Sequence, residues 1–343
     1  MDKNLNSVSE LGEFGLINKL TKDIKVKHQT THLGIGDDAA VINNGKLETV
    51  ISTDMLIEGI HFDMVFTPLK HLGYKTVTVN ISDICAMNAV PKQILVSIGM
   101  SSKYSVEAIE EIYNGIKHAA KVYDLDIIGG DLTTNPSGLA ISITAIGEAK
   151  KEDLVYRSGA KENDLIVVSG DLGGAYMGLN VLQREKEVWN SNPKIQPDLD
   201  GHDYTLERQL KPEARLDIIT LLKEEGVKPT SMIDISDGLA SEIIHICKQS
   251  KKGCQLFENK IPIDTSTHKT AIDFNINPTT CALNGGEDYE LLFTVDIKEY
   301  EKIKANKNLT VIGHITNEES GINLITNGEQ STPIKAQGWD HFK

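Results

Sequence analysis

The stretch Pro68–Met100, PLKHLGYKTVTVNISDICAMNAVPKQILVSIGM, decides the fold. Pro68 to about Ala89 reads as a helix. Proline suits a first helical turn, where its missing N–H has no partner to lose, and apolar residues recur at Leu69, Leu72, Val79 and Ile84. Gln93–Met100, QILVSIGM, then reads as an apolar strand. The alternation continues outward in both directions. Upstream, Ala39–Ile42 and Thr49–Ser52 read as short strands. Downstream, Val106–Tyr123 reads as a helix with Ile109, Ile112, Ile116, Ala119 and Ala120 on one face, followed by strands at Asp126–Ile128 and Leu139–Ile146. Strands and helices in alternation predict mixed α/β layers.

A second block begins near Lys151. It holds a strand at Leu165–Ser169 and a helix at Gly173–Arg184. A polar stretch from Arg184 to Pro212, carrying Pro193, Pro197 and Gly201, reads as a loop or a loosely packed excursion. Helices follow at Ala214–Glu225 and Leu239–Gln249, and strands at Met232–Ile235, Tyr289–Val295, Val311–Gly313 and Gly321–Ile325. A chain of 343 residues exceeds one small domain, so two are expected, residues 1–150 and 151–343. No short internal period suggests a solenoid.

Composition narrows the partners. With 40% hydrophobic residues the chain can build a sizeable core, which excludes a mainly disordered protein. Lys and Arg number 35 against 49 Asp and Glu, a net charge of −14 that repels nucleic acid and anionic membranes. No apolar run is long enough to span a membrane. The opening MDKNLNSVSELGEFG has no charged region followed by an apolar one, so no secretory signal is expected. The cysteines, Cys85, Cys247, Cys254 and Cys281, form no CxxC pair. Scattered thiols of this kind point to a cytoplasmic protein without a zinc site.

The acids are placed non-randomly. They stand beside Gly, Ser or Thr in six segments: Gly34–Asp38, Ser52–Asp54, Ser82–Asp83, Gly129–Asp131, Asp234–Gly238 and Gly285–Asp288. Any one of them is satisfied by a turn or a helix cap, because Asp bonds nearby backbone and Gly reaches positive φ. Asp83 is harder to dismiss. It lies within VTVNISDICAM, and a buried acid is costly unless paired or metal-bound; a surface position on that helix is the alternative. Together the segments predict one crevice lined by carboxylates, suited to several Mg²⁺ ions and a phosphorylated substrate.

Other signatures are missing or ambiguous. There is no GxxxxGK[ST], GxSxG or HExxH. Gly170-Asp171-Leu172-Gly173-Gly174 opens a helix and could hold a phosphate on its amides, but a tight turn fits equally well.

In order along the chain, GIGDDAAVI, ISTDMLIEGIHF, VNISDICAM, IIGGDLT, RSGAKENDLIVVSG, IDISDGL, NGGEDYELLF and QGWDHF resemble the thiamine-monophosphate kinase family. That family belongs to the superfamily of aminoimidazole-ribonucleotide synthetase and selenophosphate synthetase. The resemblance runs from about Glu13 to Phe342. It implies a two-domain PurM-like fold of α/β (α+β) type, with an N-terminal mixed sheet that pairs across a homodimer and a C-terminal α/β domain. It implies ATP- and Mg²⁺-dependent phosphorylation of thiamine monophosphate, the last step of thiamine diphosphate biosynthesis. Carried over by motif, Asp38, Ser52, Thr53, Asp54, Asp83, Asp131, Asp234 and Asp237 would ligate metal. Gly130, Asp131, Arg157 and Ser236 would meet ATP, and His61, Glu287 and Trp339 the thiamine phosphate. Cys85 and Asn88 depart from the family's more usual Ala and Gly, and the 184–212 stretch is longer than usual.

The implied chemistry is physically consistent. The nucleophile is an already anionic phosphate oxygen, so no catalytic base is expected; phosphoryl transfer needs in-line positioning and neutralised charge. Arg157 would add fixed positive charge, although an arginine in RSGAK is otherwise an ordinary turn residue. Trp339 offers a flat face to a ring, or anchors the C-terminus. Glu287 could read a ring amine, complement a cationic thiazolium, or simply serve a turn. Two other classes stay open, a different ATP-dependent synthetase of the superfamily and a non-catalytic Mg²⁺–nucleotide binding subunit. Placing nine acids in or beside the crevice leaves 40 acids against 35 bases, so much of the charge excess is assigned to holding cations.

Overall fold

The computed structural model describes residues 28–43 and 45–337, and within them the chain forms two sheets. The first contains β1 (Thr31–Leu33), β2 (Ala40–Asn43), β3 (Glu48–Ile57), β4 (Val90–Met100), β5 (Asp126–Thr134) and β6 (Leu139–Ala149), in the order β1-β2-β3-β6-β4-β5. Its pairs are antiparallel except β4–β5. Helix α1 (Leu69–Ala86) packs on β3 and β6, and α2 (Val106–Val122), with Ser105 as N-cap, packs on α1.

The second sheet contains β7 (Leu165–Ser169), β8 (Ser231–Asp234), β9 (Gly253–Phe257), β10 (Leu291–Val295), β11 (Leu309–Thr316), β12 (Ile322–Ile325) and β13 (Ser331–Pro333). Their order is β13-β12-β9-β11-β7-β10-β8, and only β9–β12 is parallel. Every residue of β7 and β10 is buried, as expected where both faces of a sheet are covered. Leu165, Val167 and Phe293 face a core shared with α1 and α2, whereas Ile166, Val168 and Leu292 face a second core around α6 (Leu239–Ser250).

Helix α1 therefore lies between the sheets, touching β3 and β6 on one side and β8 and α5 (Leu216–Glu224) on the other. That placement explains why polar residues sit among its apolar ones. Thr76, Thr78 and Asn80 are fully buried, and each donates to the carbonyl four residues back, at 2.7, 3.2 and 2.8 Å.

Three expectations change. The polar 184–212 stretch is not mainly loop: α3 (Gly174–Ser191) continues through its first third, and α4 (Asp203–Leu210) packs back on α3. Its charges are tolerated because Glu185, though buried, accepts from Asp198 N at 2.8 Å and from Arg184 at 2.7 Å. Strand β5 runs on through Gly129-Gly130-Asp131 instead of ending before them, and Asp54 is likewise mid-strand in β3. Strand β9, α7 (Thr265–Asp273) and α8 (Pro278–Asn284) carried too little apolar periodicity to be read from sequence.

Candidate active site

A cavity of about 920 Å³ is lined from both halves of the chain, and acids crowd one end of it. Asp38, Asp83 and Asp234 each bring a carboxylate oxygen within 4.8 Å of the others. Local structure delivers them. Lys75, Val79 and Asp83 follow one another at four-residue spacing on α1 and so form one stripe, which lines the cavity. Asn80, beside that stripe, accepts from Asp54 N at 2.8 Å and ties α1 to β3. Ser52 donates to Asp83, and Ser82 donates to Asp234 at 2.6 Å.

The electrostatics are unfavourable for bare carboxylates. Burial, then the charges of Asp54, Asp234 and Asp38, raise Asp83 well above the usual carboxylate range. Burial and Asp38 push Asp234 to about 7, against the pull of Ser82 and Arg157. Burial and Asp38 likewise push Asp37 to about 7. Arg157 offsets part of this charge. Its guanidinium binds Asp38 through two hydrogen bonds, Nε at 2.9 Å and Nη2 at 2.7 Å, and its backbone N–H lies 3.3 Å from Asp37. Burial opposes the Arg157 charge, but Asp38 and Asp37 outweigh it and hold the group protonated.

The donor set suits a hard divalent cation. It offers carboxylates and hydroxyls with no imidazole or thiolate among the three clustered residues, and mutually repelling acids are stabilised by a shared ion.

Two glycine turns build a further part of the cavity wall. Asp237 and Ser236 follow β8 and line the cavity. Their loop is held by the buried Glu242, which accepts from Asp237 N at 2.9 Å. Gly286 has φ +71, and a Cβ there would lie 2.6 Å from Ser236 O, so a side chain would push the two loops apart. Glu287 follows at φ +58, an uncommon conformation for a non-glycine residue, and its N–H donates to Ser236 O at 2.6 Å. Its side chain meets Lys75 and Gln209. His61 lines the cavity and its Nδ1 accepts from Ile57 N at 3.0 Å.

Most of the residues expected at the site are brought together here: Asp38, Ser52, Asp54, Asp83, Asp234 and Asp237 at the acidic end, with Arg157, Ser236, His61 and Glu287 around it. Thr53 borders the cavity, but its hydroxyl donates to Ile143 O at 2.9 Å. Gly130 and Asp131 do not line it. They are exposed on edge strand β5, and strand pairing puts Asp54, Ile143, Val96 and Gly130 level with one another across three strand spacings, about 14 Å. Gly130 answers a packing need, since a Cβ there would lie 1.7 Å from Val96 O. Trp339 lies outside the described residues.

The Gly170–Gly174 turn does not offer its amides to a ligand. Gly173 N donates to Asp288 Oδ2 at 2.8 Å, so the chain's own carboxylate fills that position. Lys75, Gln209, Asn80 and Glu242 were missed from sequence, and Ser82 was named only as the neighbour of Asp83. For Lys75 a signal existed, its eight-residue spacing from Asp83 on one helix face; for Gln209, in the polar stretch, there was none.

Comparison with known proteins follows the same outline. Residues 36–149 match the family described as AIR synthase related protein, N-terminal domain. The chain is 33% identical over 339 residues to the thiamine-monophosphate kinase of Bacillus subtilis (strain 168), covering 97% of this chain and 100% of the relative. It is 38% identical over 340 residues to the enzyme of that name from Buchnera aphidicola subsp. Schizaphis graminum, covering 97% and 99%. A solved structure described as AaThiL complexed with AMPPCP and TMP superposes with a TM-score of 0.84 at 28% identity, covering 99% of this chain and 100% of that one.

Proposed function

The chain belongs to the thiamine-monophosphate kinase family, and from that premise we propose that it transfers the γ-phosphoryl group of ATP to thiamine monophosphate, giving thiamine diphosphate and ADP. The observation that carries this reading is the convergence of Asp38, Asp83 and Asp234 at one end of a cavity whose walls also bear Arg157 and Glu287. The solved relative described as AaThiL complexed with AMPPCP and TMP supports a pairing of a phosphate end with a recognition end.

The transfer forms one P–O bond, from the acceptor phosphate oxygen to the γ-phosphorus, and breaks the bond to ADP. The acceptor oxygen is anionic, so no side chain has to remove a proton from it. The chain's work is positioning and charge. Asp38, Asp83 and Asp234, with Asp54 and Asp237 beside them, would hold Mg²⁺; Ser52 and Ser82 orient two of those carboxylates. When bound, the ion would supply positive charge that offsets the repulsion between the donor and acceptor phosphates. Arg157 adds fixed positive charge at the same end, kept in place by Asp38. His61 and Glu287 bound the end assigned to the thiamine moiety, with Trp339 proposed beside them.

We divide the chain near residue 150, between β6 and β7, so that Asp38, Asp54 and Asp83 come from one half and Arg157, Asp234 and Glu287 from the other. We assign a homodimer to the first sheet. On strands β3 and β5, Met55, Ile57, Ile128 and Leu132 are exposed, and a second copy would cover them. Gly130 and Asp131 lie on that same edge, which makes it their route to a nucleotide. We place the enzyme in the cytoplasm, in keeping with four buried thiols; among the described residues no helix is long and apolar enough to cross a membrane.

The test is turnover by the purified protein with ATP, Mg²⁺ and thiamine monophosphate, following thiamine diphosphate and ADP together. Equal amounts of both are expected. ADP release that does not depend on thiamine monophosphate, without diphosphate, would point to another synthetase and end this reading.

A further inference from the structure

Lys75 is the least expected residue in the cavity wall. It stands on α1 with its side chain only 3% exposed. A buried ammonium is costly unless fully paired. Its Nζ lies 3.0 Å from each of the two Glu287 oxygens and donates to Gln209 O, also at 3.0 Å. Gln209 closes the arrangement. Its Nε2 donates to Glu287 Oε2 at 2.7 Å, which fixes the amide orientation, because a reversed amide would set its oxygen against the carboxylate. Gln209 Oε1 is left buried with no hydrogen-bond partner, and Gln209 lines the cavity.

Two consequences follow for Glu287. Its geometry is held at both ends: the backbone by Ser236 in the left-handed region, the carboxylate by Lys75 and Gln209. Its charge is also cancelled, because Lys75 pairs with both oxygens. A carboxylate already neutralised by a buried ammonium is a poor counter-ion for a second cation, yet its remaining lone pairs still accept hydrogen bonds.

Resting on the function given above, we propose that Lys75 is a positioning residue that sets Glu287 to accept hydrogen bonds from a neutral ring amine, instead of acting as counter-ion to a cationic ring. In thiamine monophosphate the neutral amine is on the aminopyrimidine and the cation is the thiazolium, so Lys75 decides which ring lies against Glu287.

The two roles predict opposite signs. Replacing Lys75 by Met removes the ammonium at nearly constant length. If Glu287 reads a neutral amine, the freed carboxylate loses its orientation and affinity for thiamine monophosphate falls about tenfold, the effect of losing a charge-assisted hydrogen bond. If Glu287 were a counter-ion, the unmasked charge would raise affinity for the cationic ligand.

The experiment is calorimetric titration of thiamine monophosphate, and separately of a non-hydrolysable ATP analogue with Mg²⁺, into wild type, Lys75→Met and Lys75→Met/Glu287→Gln. The double variant removes both charges and keeps an acceptor, so it stays measurable where the single variant fails to fold. Weakened thiamine monophosphate binding in Lys75→Met, with nucleotide binding within twofold of wild type and partial recovery in the double variant, is expected. Where only the double variant folds, thiamine monophosphate binding within about threefold of wild type supports the proposal, and a loss beyond tenfold overturns it. Tighter or unchanged thiamine monophosphate binding in Lys75→Met, or equal loss for both ligands, overturns the role of Lys75 and leaves the kinase reading standing. A wild type that binds nucleotide but no thiamine monophosphate overturns both.

Discussion

Ser82 on α1 donates a 2.6 Å hydrogen bond to Asp234 at the end of β8, joining the helix of the first sheet to an edge strand of the second. The next residue, Asp83, thereby faces Asp234 across less than 4.8 Å. One contact between the halves of the chain thus sets the spacing of the two acids. Replacing Ser82 by Ala removes the tether from a fully buried site. The expected outcome is a stability loss of about 1–2 kcal/mol and a several-fold rise in the Mg²⁺ concentration giving half-maximal activity. A magnesium titration of initial rate, with a denaturant melt beside it, checks both.

Asp83→Asn separates function from stability. Burial and three neighbouring acids oppose the Asp83 charge, so its removal relieves repulsion. The variant is expected to melt at a higher temperature than wild type in EDTA, yet to lose at least about 100-fold in turnover, since one displaced metal ligand costs several kcal/mol in the transition state. Added Mg²⁺ should raise the melting temperature of wild type and barely move that of the variant. A full-activity Asp83→Asn enzyme would remove this residue from the metal site.

His245 on α6 gives the acid limb of the stability profile. Burial first, then the positive charges of Arg157 and Lys248, lower it to about 4, while Asp38 pulls the other way. The folded form keeps the ring neutral, and the unfolded chain takes up a proton below its ordinary value of about 6.5. The contribution is therefore complete above about 6.5 and is lost as the pH falls through about 4. Measured in EDTA, the melting temperature of wild type should fall faster over that window than that of His245→Gln. Parallel curves would show that His245 plays no part.

Arg208 on α4 anchors a second charged group behind the cavity. It donates to Glu290 at 3.0 Å, and Arg215 and Ser169 share that same buried carboxylate. Burial pushes the neighbouring Asp288 to about 7 even though Arg208 pulls it down. Arg208→Met leaves both acids poorly compensated and is expected to cost about 3–5 kcal/mol. With its folded-state value raised, Asp288 favours folding when protonated, so the deficit should be largest above pH 7 and shrink toward pH 6. Chemical denaturation of the variant at the two pH values checks the sign.

Much of the layer structure was legible because apolar periodicity is local. The helix over 68–89 and the strands around Gln93–Met100 and Leu165–Ser169 follow from which residues can face a core, and the structure places α1, β4 and β7 there. The same logic failed on the polar 184–212 stretch, because α3 and α4 are stabilised by packing on each other and by hydrogen bonds from Asp198 N to Glu185 and from Gln209 to Glu287, which no run of apolar residues announces.

The acids divide the same way. Residue type and placement pointed to a crevice of carboxylates holding cations, and the family resemblance named Asp38, Asp54, Asp83, Asp131, Asp234 and Asp237 among its expected ligands. Chain order could not say which of them meet. The first sheet carries Asp131 on β5, about 14 Å along the sheet from Asp54, while α1 brings Asp83 to Asp234 from the far half of the chain. Tertiary structure also turned Asp288 inward to the α3 amides and Glu287 outward to Lys75, although the two are adjacent in sequence. Those outcomes depend on long-range partners, Gly173 in one case and Lys75 and Gln209 in the other, and a partner 78 to 212 residues away exerts no force until the sheets have packed.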